Sequence, residues 1–299
     1  MTGKMIRLRV PDVAVLVLCM AVLIFCLGAI GAAGRERAKR AVCLGNLKQL
    51  TQAWILYADA NGGEIVNGAG GLHFTRKGMT SDGATVELVE RAWVGRAWSR
   101  NWNNANVADT GLTDEQKKQA IEEGALWPLI SDANVYRCPE ARPHEFVNYT
   151  IVDAMNGLHR LGTTNKGVGH HPDAVGKRVD QTTLWIKNAA EIDTPPAAER
   201  MVFVDEGAIT PDSFGVHYTE GPWWDDPPVR HNDGATVSWA DGHASHIAWR
   251  GAETIKFGQR HPDYYGGGGF MPVTEEGLRD LEDFRRAVWG RLGYESTEP

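Results

Sequence analysis

The N-terminal part of the chain carries two hydrophobic patterns in succession. Residues 13–33 contain no charged and no strongly polar residue. After them, apolar residues recur every three or four positions, at Cys43, Leu47, Leu50, Trp54 and Tyr57. This spacing places them on one face of an α-helix. Because no proline interrupts residues 12–60 and Asn61-Gly62-Gly63 is a suitable stop, the two patterns predict one continuous helix.

The apolar run over residues 13–33 fits a transmembrane helix better than two alternatives. At a rise of 1.5 Å per residue it extends about 31 Å, which matches the roughly 30 Å hydrocarbon core of a bilayer. A signal peptide has a shorter apolar core of about 7–15 residues. A buried core helix rarely excludes polar residues on every side. Basic residues flank the run at both ends, so its orientation stays open.

The rest of the chain has the pattern of a mixed α and β body. A capping box at Thr113 predicts a short helix, and Thr274 predicts the start of another helix over residues 275–292. Residues 201–204 and 235–240 have the composition and the boundaries of strands. We therefore predict an α+β fold, in which the long N-terminal helix packs on an antiparallel sheet with loop-rich insertions.

Composition excludes several classes of function. An apolar content of 42% and a charged content of 23% are those of a globular protein, which argues against a disordered chain. A formal net charge of −7 argues against a nucleic-acid binder. The sequence also lacks the Gly-x-Ser-x-Gly, His-Glu-x-x-His and Cys-x-x-Cys patterns of hydrolases, zincins and zinc ribbons. We expect no enzymatic activity and, apart from a calcium ion, no cofactor.

The four cysteines fall into two groups. Cys19 and Cys26 lie within the apolar run, where they act as small apolar residues. Cys43 and Cys138 lie outside it. They either form one disulfide, if the body lies in an oxidising compartment, or remain two buried thiols.

Residues 230–249, RHNDGATVSWADGHASHIAW, carry the densest group of histidines and carboxylates. Asp241-Gly242 is a strong hairpin signal. On the returning strand His243 and His246 point to opposite faces, so they do not share a metal. We expect His231 and Asp241 to satisfy backbone groups and fix the turn geometry. The alternative is a calcium site, without the spacing of an EF-hand, built from Asp205, Glu206, Asp233 and Asp241.

Tryptophan is abundant, with 11 in the chain. The segment WVGRAWSRNWNN, residues 93–104, sets three of them among polar residues, namely Trp93, Trp98 and Trp102. They either pack in the core or stack on a sugar or a protein partner.

A long N-terminal helix that continues into a globular head resembles type IV pilins and type II secretion pseudopilins. Within that group the chain resembles the prepilin-type proteins with a C-terminal His-x9-Asp-Gly motif, which His231 and Asp241-Gly242 match. Further blocks resemble the same family in the same order, at residues 40–63, 124–140 and 199–206.

The resemblance implies a cytoplasmic segment, a transmembrane helix, an amphipathic continuation and an extracytoplasmic head, over residues 1–12, 13–33, 34–61 and 62–299. It implies a single-pass protein of the inner (cytoplasmic) membrane that contacts the lipid bilayer and other pilin-like subunits or secretion machinery. That location permits a Cys43–Cys138 disulfide. The expected function is a structural subunit of a type II secretion or type IV pilus-like system. The alternative is a membrane-tethered module that binds a glycan or a protein and does not polymerise.

The chain departs from this family at the processing site. Prepilins are cut after a glycine, and the mature chain carries a glutamate at its fifth position. Aligned by Cys43, Arg7 stands at that glycine, Leu8 at the first mature residue and Asp12 at the glutamate. Asp12 keeps the negative charge, but Arg7 and Pro11 argue against cleavage and methylation by a prepilin peptidase.

Overall fold

The computed structural model describes residues 10–71, 74–79, 85–97, 112–157, 176–207, 213–259 and 269–292. Its helices are α1 Val10–Ala60, α2 Asp114–Glu122, α3 Trp127–Ile130, α4 Ala252–Gly258 and α5 Glu275–Trp289. Its strands are β1 Phe74–Met79, β2 Thr85–Glu90, β3 Tyr149–Ile151, β4 Arg178–Val179, β5 Thr182–Thr183, β6 Met201–Asp205, β7 Gly234–Trp239 and β8 Ala244–Ala248. The α+β class is therefore as predicted.

The N-terminal helix is continuous, as the sequence predicts. Of the predicted stripe on α1, the four residues Cys43, Leu47, Leu50 and Trp54 are buried against the head, and Tyr57 is half-buried. The described side chains upstream of Cys43 are exposed or half-buried. The amphipathic part of α1 thus belongs to the core, whereas the part before it does not.

The membrane prediction is not supported. Within the described residues, none of the helices combines the length with the apolar character that crossing a membrane requires. The prediction of a transmembrane helix over residues 13–33, and of a single-pass inner-membrane protein with an extracytoplasmic head, is therefore wrong. The prediction used only the absence of polar residues in the sequence of residues 13–33, and the helix that the structure describes does not bear it out.

The core is a four-stranded antiparallel sheet with the strand order β3-β6-β7-β8. Helix α1 packs on one face of this sheet. Because side chains alternate along a strand, Thr236 and Ser238 of β7 point towards α1. Thr51 Oγ1 lies 2.6 Å from Ser238 Oγ, and Cys43 Sγ lies 2.9 Å from Thr236 Oγ1. The buried face of α1 therefore contacts the sheet through polar side chains as well as through apolar ones.

The hairpin β7–β8 forms at the predicted Asp241-Gly242. Its loop has three residues, because the Trp239 N–H still pairs with the His243 carbonyl at 3.0 Å. The N–H of Gly242 donates to the carbonyl of Trp239 at 2.9 Å, and Gly242 adopts a φ of 94°. A turn followed by a left-handed glycine is a common three-residue hairpin connection.

Both helix starts predicted from capping residues are confirmed. Thr113 and Gln116 form a capping box at α2, and the Thr274 side chain accepts from the Gly277 N–H at α5. Helix α5 ends earlier than predicted, because Gly290 takes a φ of 78° and the N–H of this residue closes the last turn on Arg286.

Candidate metal centre

Four buried side chains with metal-ligand chemistry meet between α1 and the sheet. Cys43 comes from α1, Cys138 follows the 3-10 helix Ala133–Tyr136, Asp205 ends β6, and His231 lies in the turn before β7. They are at most 2% exposed. One ligand atom from each lies within 4.8 Å of all the others, and among the described residues they are the one such group of His, Cys, Asp and Glu. We call them the Cys2AspHis cluster.

The individual distances within the cluster are short. Cys43 Sγ lies 3.3 Å from Asp205 Oδ2, and Cys138 Sγ lies 3.3 Å from His231 Nε2. His231 Nε2 lies 3.4 Å from Asp205 Oδ2. The imidazole thus presents Nε2, and not Nδ1, to both the second thiol and the carboxylate.

The turn before β7 aims His231 into the cluster at a conformational cost. His231, Asn232 and Asp233 have φ values of 50°, 67° and 54°, which is the left-handed region. Each such non-glycine residue costs roughly 1–2 kcal/mol. The turn is closed by Arg230 and Gly234, whose backbones hydrogen-bond to each other at 2.6 and 3.2 Å. Strain of this kind persists where the surroundings fix it, and it concentrates at functional sites.

A second layer of groups surrounds the sulfurs and the imidazole. The Tyr149 hydroxyl donates to Cys43 Sγ at 3.3 Å, and the Glu140 N–H donates to Cys138 Sγ at 3.4 Å. The Glu140 carboxylate lies behind the imidazole, with Oε1 3.6 Å from His231 Nδ1. Both sulfurs therefore accept a hydrogen bond from outside the cluster, and a carboxylate faces the outer nitrogen of the imidazole.

A buried cation balances the carboxylate of the cluster. Arg230 Nε lies 3.5 Å from Asp205 Oδ1. Burial opposes ionisation of Asp205, but the charge of Arg230 and the hydrogen bond from His231 prevail and lower the pKa of this carboxyl. Asp205 is therefore a carboxylate at neutral pH.

The two thiols differ in acidity. A hydrogen bond from Cys43 lowers the pKa of Cys138 to about 7, whereas burial raises the pKa of Cys43. Burial also opposes charge on His231, but hydrogen bonds to Asp205 and Cys138 outweigh it and raise the pKa of the imidazole to about 9. Cys138 is therefore the more readily ionised of the two thiols. Protonated His231 forms an ion pair with Asp205, and a cation bound at Nε2 would displace the proton of that nitrogen.

The Cys43–Cys138 disulfide predicted with the family is not formed in this structure. Both residues are free thiols. The structure does bring them together, with sulfurs within 4.8 Å, whereas a disulfide has an S–S length of about 2.05 Å. The structure therefore places the two predicted cysteines close together, and the disulfide between them stays a prediction.

The predicted calcium ligands do not gather. Asp205 joins the Cys2AspHis cluster, and Glu206 is buried beside it in the sequence. Asp233 immediately precedes β7 and accepts from Gln259, while Asp241 follows that strand and contacts His243. A strand of this length separates its two ends by about 20 Å. Asp233 and Asp241 therefore lie too far apart to bind one ion together, and the structure does not bring the four predicted calcium ligands to one place.

Of the predicted stacking and processing residues, Trp93 is the one whose side chain the structure describes. Trp93 is fully buried and packs edge-on against Phe203 at a centroid distance of 5.2 Å, so it cannot stack on a ligand from solvent. Trp98 and Trp102 lie outside the described residues, as do Arg7 and Leu8 of the processing site. Helix α1 includes the backbone of Asp12.

The His-x9-Asp-Gly motif has a structural meaning in this fold. Its nine intervening residues contain β7, so His231 and Asp241-Gly242 lie at opposite ends of one strand. His231 reaches Asp205 beside Cys43 of α1, and a Cβ added to Gly242 would lie 3.5 Å from Ile55 of the same helix. Both ends of the motif therefore lie against α1, at points about 18 Å apart along it.

The arrangement does not suit nucleophilic catalysis. The Cys138 thiol is ionisable, but Cys43 and Cys138 are at most 1% exposed, so a substrate has no access to either sulfur. The surface pocket lined by Asp180, Thr194 and Arg291 includes no member of the cluster. The chemistry open to the cluster is ion binding or thiol oxidation.

No protein-family profile, curated protein or solved structure matches the chain. The resemblance to pilins and pseudopilins therefore rests on the sequence blocks described above, and it stays a prediction. The cluster could not be found from local sequence spacing, because its members are separated by up to 188 positions in the chain, between Cys43 and His231. The available signals were the two isolated cysteines and the histidine of the motif.

Proposed function

We propose that this chain is a structural subunit of the pilin or pseudopilin type and performs no catalytic turnover. It assembles with further copies of itself through the N-terminal part of α1. The observation that carries the proposal is the exposed apolar surface of that helix. Seven large apolar side chains between Val13 and Val22 are 47–64% exposed. Exposed apolar surface on this scale is typical of interaction sites.

The distribution of these side chains favours several partners over one. They are Val13, Val15, Leu16, Val17, Leu18, Met20 and Val22. Successive helical residues are about 100° apart, so the run from residue 15 to residue 18 covers all sides of the helix. A helix that is apolar all round needs neighbours on several sides, as in a bundle, and a single groove would leave part of it exposed.

The head leaves this part of α1 free for such packing. The described side chains between residues 10 and 35 are all exposed, and this segment is about 39 Å long. Fully burying an exposed valine or leucine side chain stabilises by about 1.5–3 kcal/mol, so the seven side chains, which are about half exposed, supply on the order of 5–10 kcal/mol to each copy before the entropic cost of association. Because every copy buries this surface, contacts with several neighbours add to one another.

Sedimentation velocity over a concentration series, with electron microscopy of the same samples, tests the proposal on the full chain. We expect regular assemblies whose size grows with concentration. The variant Leu16→Ser/Leu18→Ser/Val22→Ser should shift the protein to the monomer, because it removes apolar area on several sides of the helix.

The matched control is Met271→Ser/Val273→Ser, which removes two exposed apolar side chains from the head, 44% and 83% exposed. It should assemble as the unmodified chain does. A chain that stays monomeric at every concentration contradicts the proposal. So does the formation of amorphous aggregates in place of regular assemblies, because exposed apolar surface would then have no specific partner.

A further inference from the structure

We propose that Cys43, Cys138, Asp205 and His231 bind one zinc-type divalent cation, in a closed structural site that fastens α1 to the sheet. The proposal concerns the head and does not depend on whether the chain assembles. Its starting point is geometric: four ligand atoms from four separate segments converge within 4.8 Å of one another.

The separations between these atoms match those around a tetrahedral ion. With metal–sulfur bonds of about 2.3 Å and metal–nitrogen or metal–oxygen bonds of about 2.0–2.2 Å, the edges of the tetrahedron measure about 3.4–3.8 Å. The observed separations are 3.3 Å for Cys43 Sγ to Asp205 Oδ2, 3.3 Å for Cys138 Sγ to His231 Nε2, and 3.4 Å for His231 Nε2 to Asp205 Oδ2. These three of the six separations lie within a few tenths of an ångström of the tetrahedral values, and the other three are at most 4.8 Å.

The ligand types select the class of cation. Two cysteine sulfurs and one imidazole nitrogen favour zinc and its borderline neighbours over calcium and magnesium, which prefer oxygen ligands. Four protein ligands with no exposed face are typical of structural zinc sites, whereas catalytic sites keep one position open for water. The burial of all four residues therefore points to a structural role.

The surrounding groups are those that support metal ligands. Histidine ligands commonly direct their second ring nitrogen at a carboxylate. Here His231 Nδ1 faces Glu140 Oε1 at 3.6 Å, while Nε2 faces the centre, and Nδ1 has no hydrogen-bond partner among the described residues. The Glu140 N–H and the Tyr149 hydroxyl each direct a donor at a sulfur, which stabilises thiolates.

With the ion present, the charges of the four ligands, the ion and Arg230 cancel. Two thiolates and the Asp205 carboxylate carry three negative charges, and a divalent cation with Arg230 supplies three positive ones. Arg230 lies 3.5 Å from Asp205 and is only 19% exposed, so solvent screens it weakly. The four ligands, Arg230 and a divalent cation together therefore carry no net charge, and the Glu140 carboxylate behind the imidazole is 20% exposed.

The ion would join parts of the chain that are distant in sequence. Cys43 lies in the buried half of α1, and Cys138 lies in the segment between α3 and β3. Asp205 is at the end of β6, and His231 is in the turn before β7. Metal binding would thus fix the position of α1 on the head, and with it the direction in which the exposed part of this helix leaves the head.

Zinc content and cobalt spectroscopy of the full chain, without an affinity tag and with the thiols kept reduced, test the site. We expect one zinc per chain. After removal of zinc, titration with Co²⁺ should give the visible bands of a tetrahedral ion and a sulfur-to-metal charge-transfer band, both saturating at one equivalent. The bands should disappear in Cys138→Ser and weaken strongly in His231→Gln.

Cys19→Ser is the matched control, because this change removes an exposed cysteine of α1 that lies outside the cluster. It should retain one zinc and the cobalt bands. This control separates the loss of a ligand thiol from the loss of a thiol elsewhere in the chain.

Two outcomes overturn the proposal. One is a reduced, folded protein that contains no zinc and gives no cobalt bands. The other is a chain that loses the mass of two hydrogens under non-reducing conditions and regains it with a reductant, with zinc absent in both states, since Cys43 and Cys138 then form a disulfide. If Cys138→Ser does not fold, the titration of the unmodified chain still decides.

Discussion

Strand β7 has a histidine–aspartate pair at each end, in opposite surroundings. At one end His231 Nε2 lies 3.4 Å from Asp205 Oδ2, and both side chains are 0% exposed. At the other end His243 Nδ1 lies 2.6 Å from Asp241 Oδ1, with side chains 44% and 38% exposed. The exposed pair is closer and is local in sequence. The buried pair joins two strands and has two thiols and an arginine around it.

The difference shows that distance is a poor guide to the energetic weight of an ion pair. Solvent screens the exposed pair, and such pairs contribute about 0–1 kcal/mol. A buried pair cannot be broken without leaving a charge in the core, which costs about 3–5 kcal/mol. We therefore expect the two ends of β7 to respond very differently to the same kind of substitution.

The largest effect is expected for Asp205→Ala. It removes the carboxylate and leaves Arg230 and His231 buried without their partner, so the free energy of unfolding should fall by about 3–5 kcal/mol. Urea denaturation of the full chain measures it. Asp241→Ala makes the same chemical change at the exposed end and should cost at most about 1 kcal/mol. Equal losses for the two variants would contradict the contrast.

An intermediate effect is expected for Gly242→Ala in the exposed turn. Gly242 has a φ of 94°, and the nearest atom to an added Cβ is Ile55 Cδ1 at 3.5 Å, which is an ordinary contact. Only the backbone conformation is therefore strained, at about 1–2 kcal/mol. Gly45→Ala on α1, where an added Cβ meets nothing within 4 Å, is the control and should be neutral or stabilising by up to about 1 kcal/mol. A neutral Gly242→Ala would show that the turn tolerates another conformation.

The smallest effect is expected for His243→Ala. This change removes the contact with Asp241 and the stacking of His243 on Trp239, whose ring centroids are 5.6 Å apart. Because the pair is partly exposed, the loss of unfolding free energy should stay below about 1 kcal/mol and shrink as salt is added. A loss that is large and independent of salt would mean that this end of β7 also carries a buried network.

Local patterns predicted much of the fold. The three- and four-residue spacing from Cys43 to Tyr57 identified the buried face of α1, Thr113 and Thr274 identified two helix starts, and Asp241-Gly242 identified the hairpin. Each of these features depends on residues close in sequence, so spacing and turn chemistry suffice. The membrane span failed because the prediction used the composition of one run and no property of the helix as folded.

The candidate site was only partly predictable. Cys43 and Cys138 were paired by resemblance to a family, and the structure does bring their sulfurs within 4.8 Å. Asp205 was instead assigned to a calcium set with Asp233 and Asp241, because the sequence shows the acidic residues but not that β7 separates the last two. His231 was expected to serve the local turn, although that turn directs its ring to another strand.

X-ray absorption spectroscopy at the zinc edge, on the reduced full chain, tests the central claim most directly. We predict an ion with two sulfur ligands at about 2.3 Å and two nitrogen or oxygen ligands at about 2.0–2.2 Å, which Cys138→Ser changes to one sulfur ligand. Zinc surrounded by nitrogen and oxygen without sulfur, or a protein without zinc, would contradict the assignment of Cys43, Cys138, Asp205 and His231 as a metal centre.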